Sequence, residues 1–182
     1  MARLPYITTR DGLPPEHRDA WDRIQAGRGQ VYRNFQLMLH SPELAARVCA
    51  VGDYLLHAPT LDKPLRELIT LAVARELNSQ YEWSVHEAPA LASGVRDHVI
   101  QGIKHRAYKG FLPKEKVFVD LAREVLGSRL SDGTWLAVEH LLGRQGAVDA
   151  VLFIGQVALI SRFHDAVQLD PNPDMQPLLP IP

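Results

Sequence analysis

The sequence predicts an all-α fold, and three observations carry that prediction. No stretch alternates apolar and polar residues with the period of two that a half-buried strand requires. Apolar residues instead recur at helical spacing in one segment after another. The segments are separated by short breaks of Gly, Pro and capping residues, which leaves no room for crossover sheet topologies.

Residues 1–13 read as an extended lead-in, with Pro5, Gly12 and the Thr8-Thr9 pair. A short helix follows over 14–26, where Trp21 and Ile24 share a face, and Gly27-Arg28-Gly29 breaks it. Residues 31–39 have the helical spacing Val31, Phe35, Met38, Leu39. Ser41 then serves as an N-cap with Pro42 at the first helical position, where a missing N–H costs nothing. The helix over 42–57 places Leu44, Val48, Val51 and Leu55 on one stripe.

The central element is a helix hairpin over 62–94. Its first helix starts at the N-cap Asp62, with Pro64 in the first turn. Between Leu68 and Ala74 the only polar side chain is Thr70, the composition of a helix buried nearly all round. Ser79 and Glu82 have the spacing of a capping box at the start of the second helix. Pro89 removes a backbone bond to Val85 and predicts a kink just past His86; Gly94 is the expected C′ residue.

Beyond the hairpin, Val99, Ile100 and Ile103 mark a short helix over 96–105. Pro113 opens a helix to about Leu126 with the stripe Val117, Phe118, Leu121, Ala122, Val125, and Gly127 ends it. Ser131-Asp132 starts another helix, with Trp135, Val138, Leu141 and Leu142 expected inward. Residues 143–146 form a break, and a last helix over 147–167, apolar on most of its circumference, is expected to be central. The remainder, with Pro171, Pro173, Pro177, Pro180 and Pro182, reads as an extended proline-rich arm.

The hairpin also carries the candidate chemistry. Glu82 and His86 stand at i and i+4 and share a face, and folding the hairpin brings Glu67 to the same point. A carboxylate–imidazole set at a half-buried point suits proton transfer near neutral pH. Each residue also has a structural reading: Glu82 as a cap, Glu67 as a first-turn charge paired with Arg66 or Arg75, His86 as a packed histidine. A metal reading, with Glu67, Glu82 and His86 as ligands, gains nothing from the seven other histidines. None of them stands at H-x-x-x-H spacing from His86, and His98 and His105 read as surface residues. Arg144 and Arg162 have the fork that would take a substrate carboxylate, or are solvated surface residues.

The run RELITLAVARELNSQYEWSVHEAPALASGV resembles the carboxymuconolactone decarboxylase family, part of the alkylhydroperoxidase D-like superfamily. The features that carry the resemblance are Arg66-Glu67-Leu68, the apolar run after it, the Tyr81-Glu82-Trp83-x-x-His86 block and the closing Ala92-x-Gly94-Val95. The superfamily's peroxidase branch has a glutamate, then C-x-x-C, then a histidine. Counted from Glu67, those cysteines and that histidine fall on Ser79, Glu82 and His86, so both cysteines are missing here. The resemblance implies the alkylhydroperoxidase D-like helical fold and a homo-oligomer, often a trimer or hexamer. It also implies a cofactor-free lyase acting on a small carboxylated lactone or a related aromatic-degradation intermediate, with His86, Glu82 and Glu67 as catalytic residues. The alternatives are the superfamily's peroxidase-type antioxidant chemistry, which the missing C-x-x-C argues against, and a non-catalytic oligomeric binding protein.

With 182 residues, the chain suits one domain: a helical core over about 41–167, an N-terminal extension over 1–40 and the arm over 168–182. A net charge of -1 without charge blocks argues against an electrostatic nucleic-acid or membrane-surface binder. The single cysteine, Cys49, forbids an intrachain disulfide, suits a reducing cytoplasm, and reads as a buried inert thiol. The N-terminus lacks the apolar core of a signal peptide, and the run over 151–160 is interrupted by Gln156 and too short to span a bilayer. Neither a cofactor nor a metal is expected.

Overall fold

The computed structural model describes residues 1–170, 179 and 180. Among them every regular element is helical. The α-helices are α1 (Arg18–Arg28), α2 (Arg33–Met38), α3 (Pro42–His57), α4 (Lys63–Leu77), α5 (Gln80–Ser93), α6 (Asp97–Lys104), α7 (Pro113–Leu126) and α8 (Asp132–Val167). The chain forms two compact units: residues 1–57 with 163–170, and residues 58–162 with the described residues 179 and 180.

In the first unit α1 packs on α3. The lead-in is mostly extended, as expected, and is tied down by Arg3 N–H donating to the Val167 carbonyl at 2.8 Å. A 3-10 turn, Pro15–His17, precedes α1, and the helix then continues through Gly27 to Arg28. Its true end is Gly29, whose φ of 74° is the left-handed conformation glycine adopts without a Cβ penalty. The inward face of α3 differs from the predicted stripe. It is Ala45, Val48, Cys49, Gly52 and Leu55, while Leu44 and Val51 are 55% and 51% exposed. The small residues Ala45, Cys49 and Gly52 let a neighbouring helix approach closely; a reading that follows bulk alone picks the wrong side.

The second unit is built around α4, which packs on α5, α6 and α7. Asp62 caps α4 as predicted, accepting from the Leu65 N–H at 2.9 Å. Every residue from Leu68 to Arg75 is buried. Asn78, at φ 54°, ends α4 in the left-handed conformation and turns the chain at once into α5. Helix α5 continues through Pro89 and ends at Gly94, φ 104°. In α6, Val99, Ile100 and Ile103 are buried as predicted. In α7 the buried set is Phe118, Val119, Leu121 and Ala122; Val117 and Val125 are only half-buried.

The predicted break at 143–146 is a single residue. Gly143, at φ 71° and ψ 174°, interrupts α8, and the helix resumes directly after it. Of the residues expected inward before the break, Val138 is buried but Leu141 is exposed. Beyond it, Ala147, Ala150 and Ile154 are fully buried, whereas Val148, Leu152 and Leu159 are exposed. The last helix therefore covers the core with one side and is not enclosed. Most of the expected proline-rich arm lies outside the described residues. Within them, Gln80 exchanges two hydrogen bonds with the Leu179 backbone, at 2.8 and 3.0 Å.

Candidate active site

The α4–α5 hairpin brings Glu67, Glu82 and His86 together. Glu67 stands on the second turn of α4, and Glu82 and His86 one turn apart on α5. His86 Nδ1 lies 2.8 Å from Glu67 Oε2, and His86 Nε2 lies 3.6 Å from Glu82 Oε2. The first contact is a hydrogen bond; the second is too long for one and acts through charge. With Nδ1–H donating to Glu67, Nε2 is the nitrogen left to exchange a proton. The His86 side chain is 31% exposed, against 13% and 8% for the two glutamates. It is half-buried, less enclosed than its partners, and so open to a small molecule.

Burial pushes the His86 pKa down. The hydrogen bond to Glu67 and the charges of Glu82 and Glu67 outweigh burial and hold it above the usual histidine value. The charged imidazolium is thus favoured at a point where burial alone would disfavour it.

The structural reading of Glu67 fails, because neither arginine offered as its partner takes it. Arg66 donates to the Leu61 carbonyl, and Arg75 donates to Asn78 Oδ1 at 2.8 Å. The predicted capping box is not formed either. Ser79 is the N-cap of α5, but its side chain makes no cap hydrogen bond. Among the described residues its hydroxyl is buried without a partner, and so is the indole N–H of Trp83 one turn on. Glu82 is instead turned toward His86, the i+4 contact that competes with capping for a carboxylate at this position. The capping motif concealed the buried Ser79 hydroxyl from sequence reasoning.

The other candidates lie apart. Cys49 is buried, and desolvation pushes its thiol up to about 11. Arg144 and Arg162 are both exposed, and Arg144 pairs with Glu139 at 3.0 Å. His98 and His105 are on the surface, as expected. Among the described residues no set of three His, Cys, Asp or Glu side chains is arranged to hold a metal ion.

Residues 42–124, from the start of α3 into α7, match the family model described as "Carboxymuconolactone decarboxylase family". The match contains the whole hairpin with Glu67, Glu82 and His86. No curated protein matches the chain. Among solved structures, the chain is similar to the alkylhydroperoxidase AhpD core of an uncharacterized peroxidase-related protein from Ralstonia eutropha JMP134. The identity is 23%, the TM-score 0.74, and the match covers 96% of this chain and 94% of that one. A cysteine-to-alanine variant of the debrominase Bmp8, solved in complex with 2,3,4-tribromopyrrole, is also similar. It is 12% identical with a TM-score of 0.71, and the match covers 95% of each chain. These likenesses establish the alkylhydroperoxidase D-like fold for the chain.

Proposed function

We propose that this chain is a cofactor-free lyase of the carboxymuconolactone decarboxylase type, acting on a small carboxylated lactone. One observation carries the reading: the half-open imidazole of His86 is held between two carboxylates contributed by two different helices. In the proposed reaction the C–C bond to the substrate carboxylate breaks and carbon dioxide leaves. The electron pair passes through the unsaturated ring to the lactone carbonyl oxygen, giving a dienolate. His86 Nε2–H then protonates the dienolate carbon. Glu67 fixes the ring and favours its charged form, and Glu82 stabilises the positive charge from the other side. The substrate is its own electron sink, so the step balances without an added oxidant or reductant.

The peroxide-reducing alternative is disfavoured on this chain's own residues. Ser79 and Glu82 occupy the positions of the superfamily's cysteine pair, and the one thiol is buried with its pKa pushed up to about 11. The similar structures' debrominase and peroxidase-related descriptions keep redox chemistry within the range of the fold, without supplying a thiol here. We further propose a homo-oligomer. Val148, Leu152 and Leu159 recur at spacings of four and seven on the exposed side of α8, with Gly155 between them and open space above it. That is the seam spacing by which two helices mate.

The test is release of carbon dioxide from a γ-carboxylated unsaturated lactone, followed with the purified protein. We expect turnover by wild type and a loss of about 10²–10⁴-fold in His86→Gln, the range for removing a positioned general acid. Carbon dioxide release that is absent in wild type, or equal in His86→Gln, refutes the reading.

A further inference from the structure

The C-terminal end of α4, opposite to the end that bears Glu67, gathers three arginines around one glutamate. Arg75 stands on the last turn of α4 and is only 7% exposed. Burying a guanidinium is costly unless a carboxylate pairs with it. Arg75 makes no ion pair among the described residues. Its Nη1 donates to Asn78 Oδ1 at 2.8 Å and to the Pro180 carbonyl at 3.3 Å, both neutral acceptors. Its Nε–H is buried without a hydrogen-bond partner among the described residues.

Two more guanidiniums meet it there. Arg106, just past α6, donates through Nη2 to the Arg75 carbonyl at 3.3 Å. Arg123 of α7 lies over the Tyr108 ring, 5.0 Å from its centroid. Both pair with Glu76, Arg106 at 3.8 Å and Arg123 at 3.5 Å, contacts too long for good hydrogen bonds. The Arg123 Nε–H is likewise buried without a hydrogen-bond partner among the described residues. Asp120 lies 3.7 Å from Arg123 but is held by Lys116. Charge then shows what the cluster lacks. Glu76 is one carboxylate among three guanidiniums, and the end of α4 adds roughly half a negative charge, so about one and a half positive charges are left over. The Tyr108 hydroxyl stands in this field. Burial raises its pKa, against the charges of Arg123, Arg106 and Arg75, so it is a protonated donor at neutral pH. It makes no hydrogen bond among the described residues. Guanidinium forks with a surplus of more than one charge, beside a phenol O–H, match an oxyanion that carries more than one charge.

We propose that Arg75, Arg106, Arg123 and Tyr108 form a binding site for a phosphate-type oxyanion, either free phosphate or the phosphoryl group of a small phosphomonoester. Arg106 and Arg123 are half-exposed and would meet the anion from solvent, with the Tyr108 hydroxyl donating to it and the buried Arg75 adding charge. None of Glu67, Glu82 or His86 belongs to this cluster, so the site is independent of the proposed lyase chemistry.

Inorganic phosphate and glycerol phosphate are the probes, titrated into the full-length protein at constant ionic strength, with singly charged acetate as the control. Binding is followed by NMR of the arginine Nε–H groups, the backbone amides and the His86 imidazole. We expect the phosphates to saturate and to shift the Arg75 and Arg123 Nε–H signals, and acetate to bind roughly fivefold more weakly or less. The tighter of the two phosphates identifies the source of the group. Tyr108→Phe removes only the hydroxyl, and Arg123→Gln changes a half-exposed side chain. Each should keep the wild-type amide spectrum and weaken phosphate roughly fivefold, the size for one partly exposed charge-assisted contact. The acetate comparison is made on wild type and decides even where a variant does not fold. Acetate binding as tightly as phosphate, shifts that do not saturate, or phosphate affinity unchanged in both variants would each overturn the proposal. So would shifts confined to the His86 imidazole, which would place the anion in the candidate active site and leave the lyase reading untouched.

Discussion

Replacing Glu67 by glutamine tests the candidate site without needing a substrate. The variant keeps the shape and an acceptor oxygen 2.8 Å from His86 Nδ1 but removes the charge. A hydrogen bond to a charged group contributes about 1.5–3 kcal/mol and a neutral one about 0.5–1.5, so the change should cost about 1 kcal/mol where His86 is protonated. For a chain of this size, that lowers Tm by about 2–4 °C. The His86 pKa is raised in the folded protein, through Glu67 and Glu82 acting against burial. Its contribution is therefore fully present below the unfolded value of about 6.5, and is lost as pH rises through the folded pKa. The gap between wild type and Glu67→Gln should be widest near pH 5.5 and narrower at pH 9. Calorimetry at the two pH values measures it, and imidazole NMR should show His86 titrating lower in the variant. An equal Tm gap at both pH values, together with an unchanged His86 titration, would mean that Glu67 does not tune the ring.

Glu82→Gln should lower the His86 pKa less than Glu67→Gln, because its 3.6 Å contact is coulombic only; a larger effect in the same titration would reverse the assignment of roles. In Cys49→Ser any lyase activity should persist, and the native thiol should stay unreactive toward a disulfide reagent at neutral pH, since burial holds it protonated. Gly94→Ala should cost about 1–2 kcal/mol in denaturant unfolding, all of it backbone strain, because a Cβ there meets nothing within 4 Å and only the φ of 104° opposes it. Leu152→Glu should reduce the solution mass by light scattering if the exposed α8 seam joins subunits; an unchanged oligomer would move the interface elsewhere.

The helices were legible in the sequence because their ends are marked by local chemistry. Asp62, Pro42, Pro113 and Gly94 each start or end a helix where the capping rules place them. Which side of a helix faces inward was less legible. On α3 the buried face follows the small residues Ala45, Cys49 and Gly52, a preference set by how closely a neighbour approaches and not by hydrophobicity. The exposed side of α8 misled for the opposite reason, because apolar residues occur all round it and composition alone cannot say which of them are covered. At the site, the meeting of Glu67, Glu82 and His86 could be anticipated from i, i+4 spacing and the family register. The unpartnered Ser79 hydroxyl could not, because a serine at a helix start has a local explanation that the folded chain does not use.

The interruption at Gly143 has a consequence for engineering the chain. Its φ and ψ of 71° and 174° belong to a region essentially closed to other residues, it is exposed, and a Cβ there would meet nothing within 4 Å. Within either half of α8, inserting one residue turns every later side chain by about 100° and scrambles the buried face. At Gly143 helical phase is already discontinuous, so added residues need not be propagated along a helix. The join is accordingly the place in α8 to splice in a tag, open new termini for a circular permutant, or introduce a protease site as a reporter.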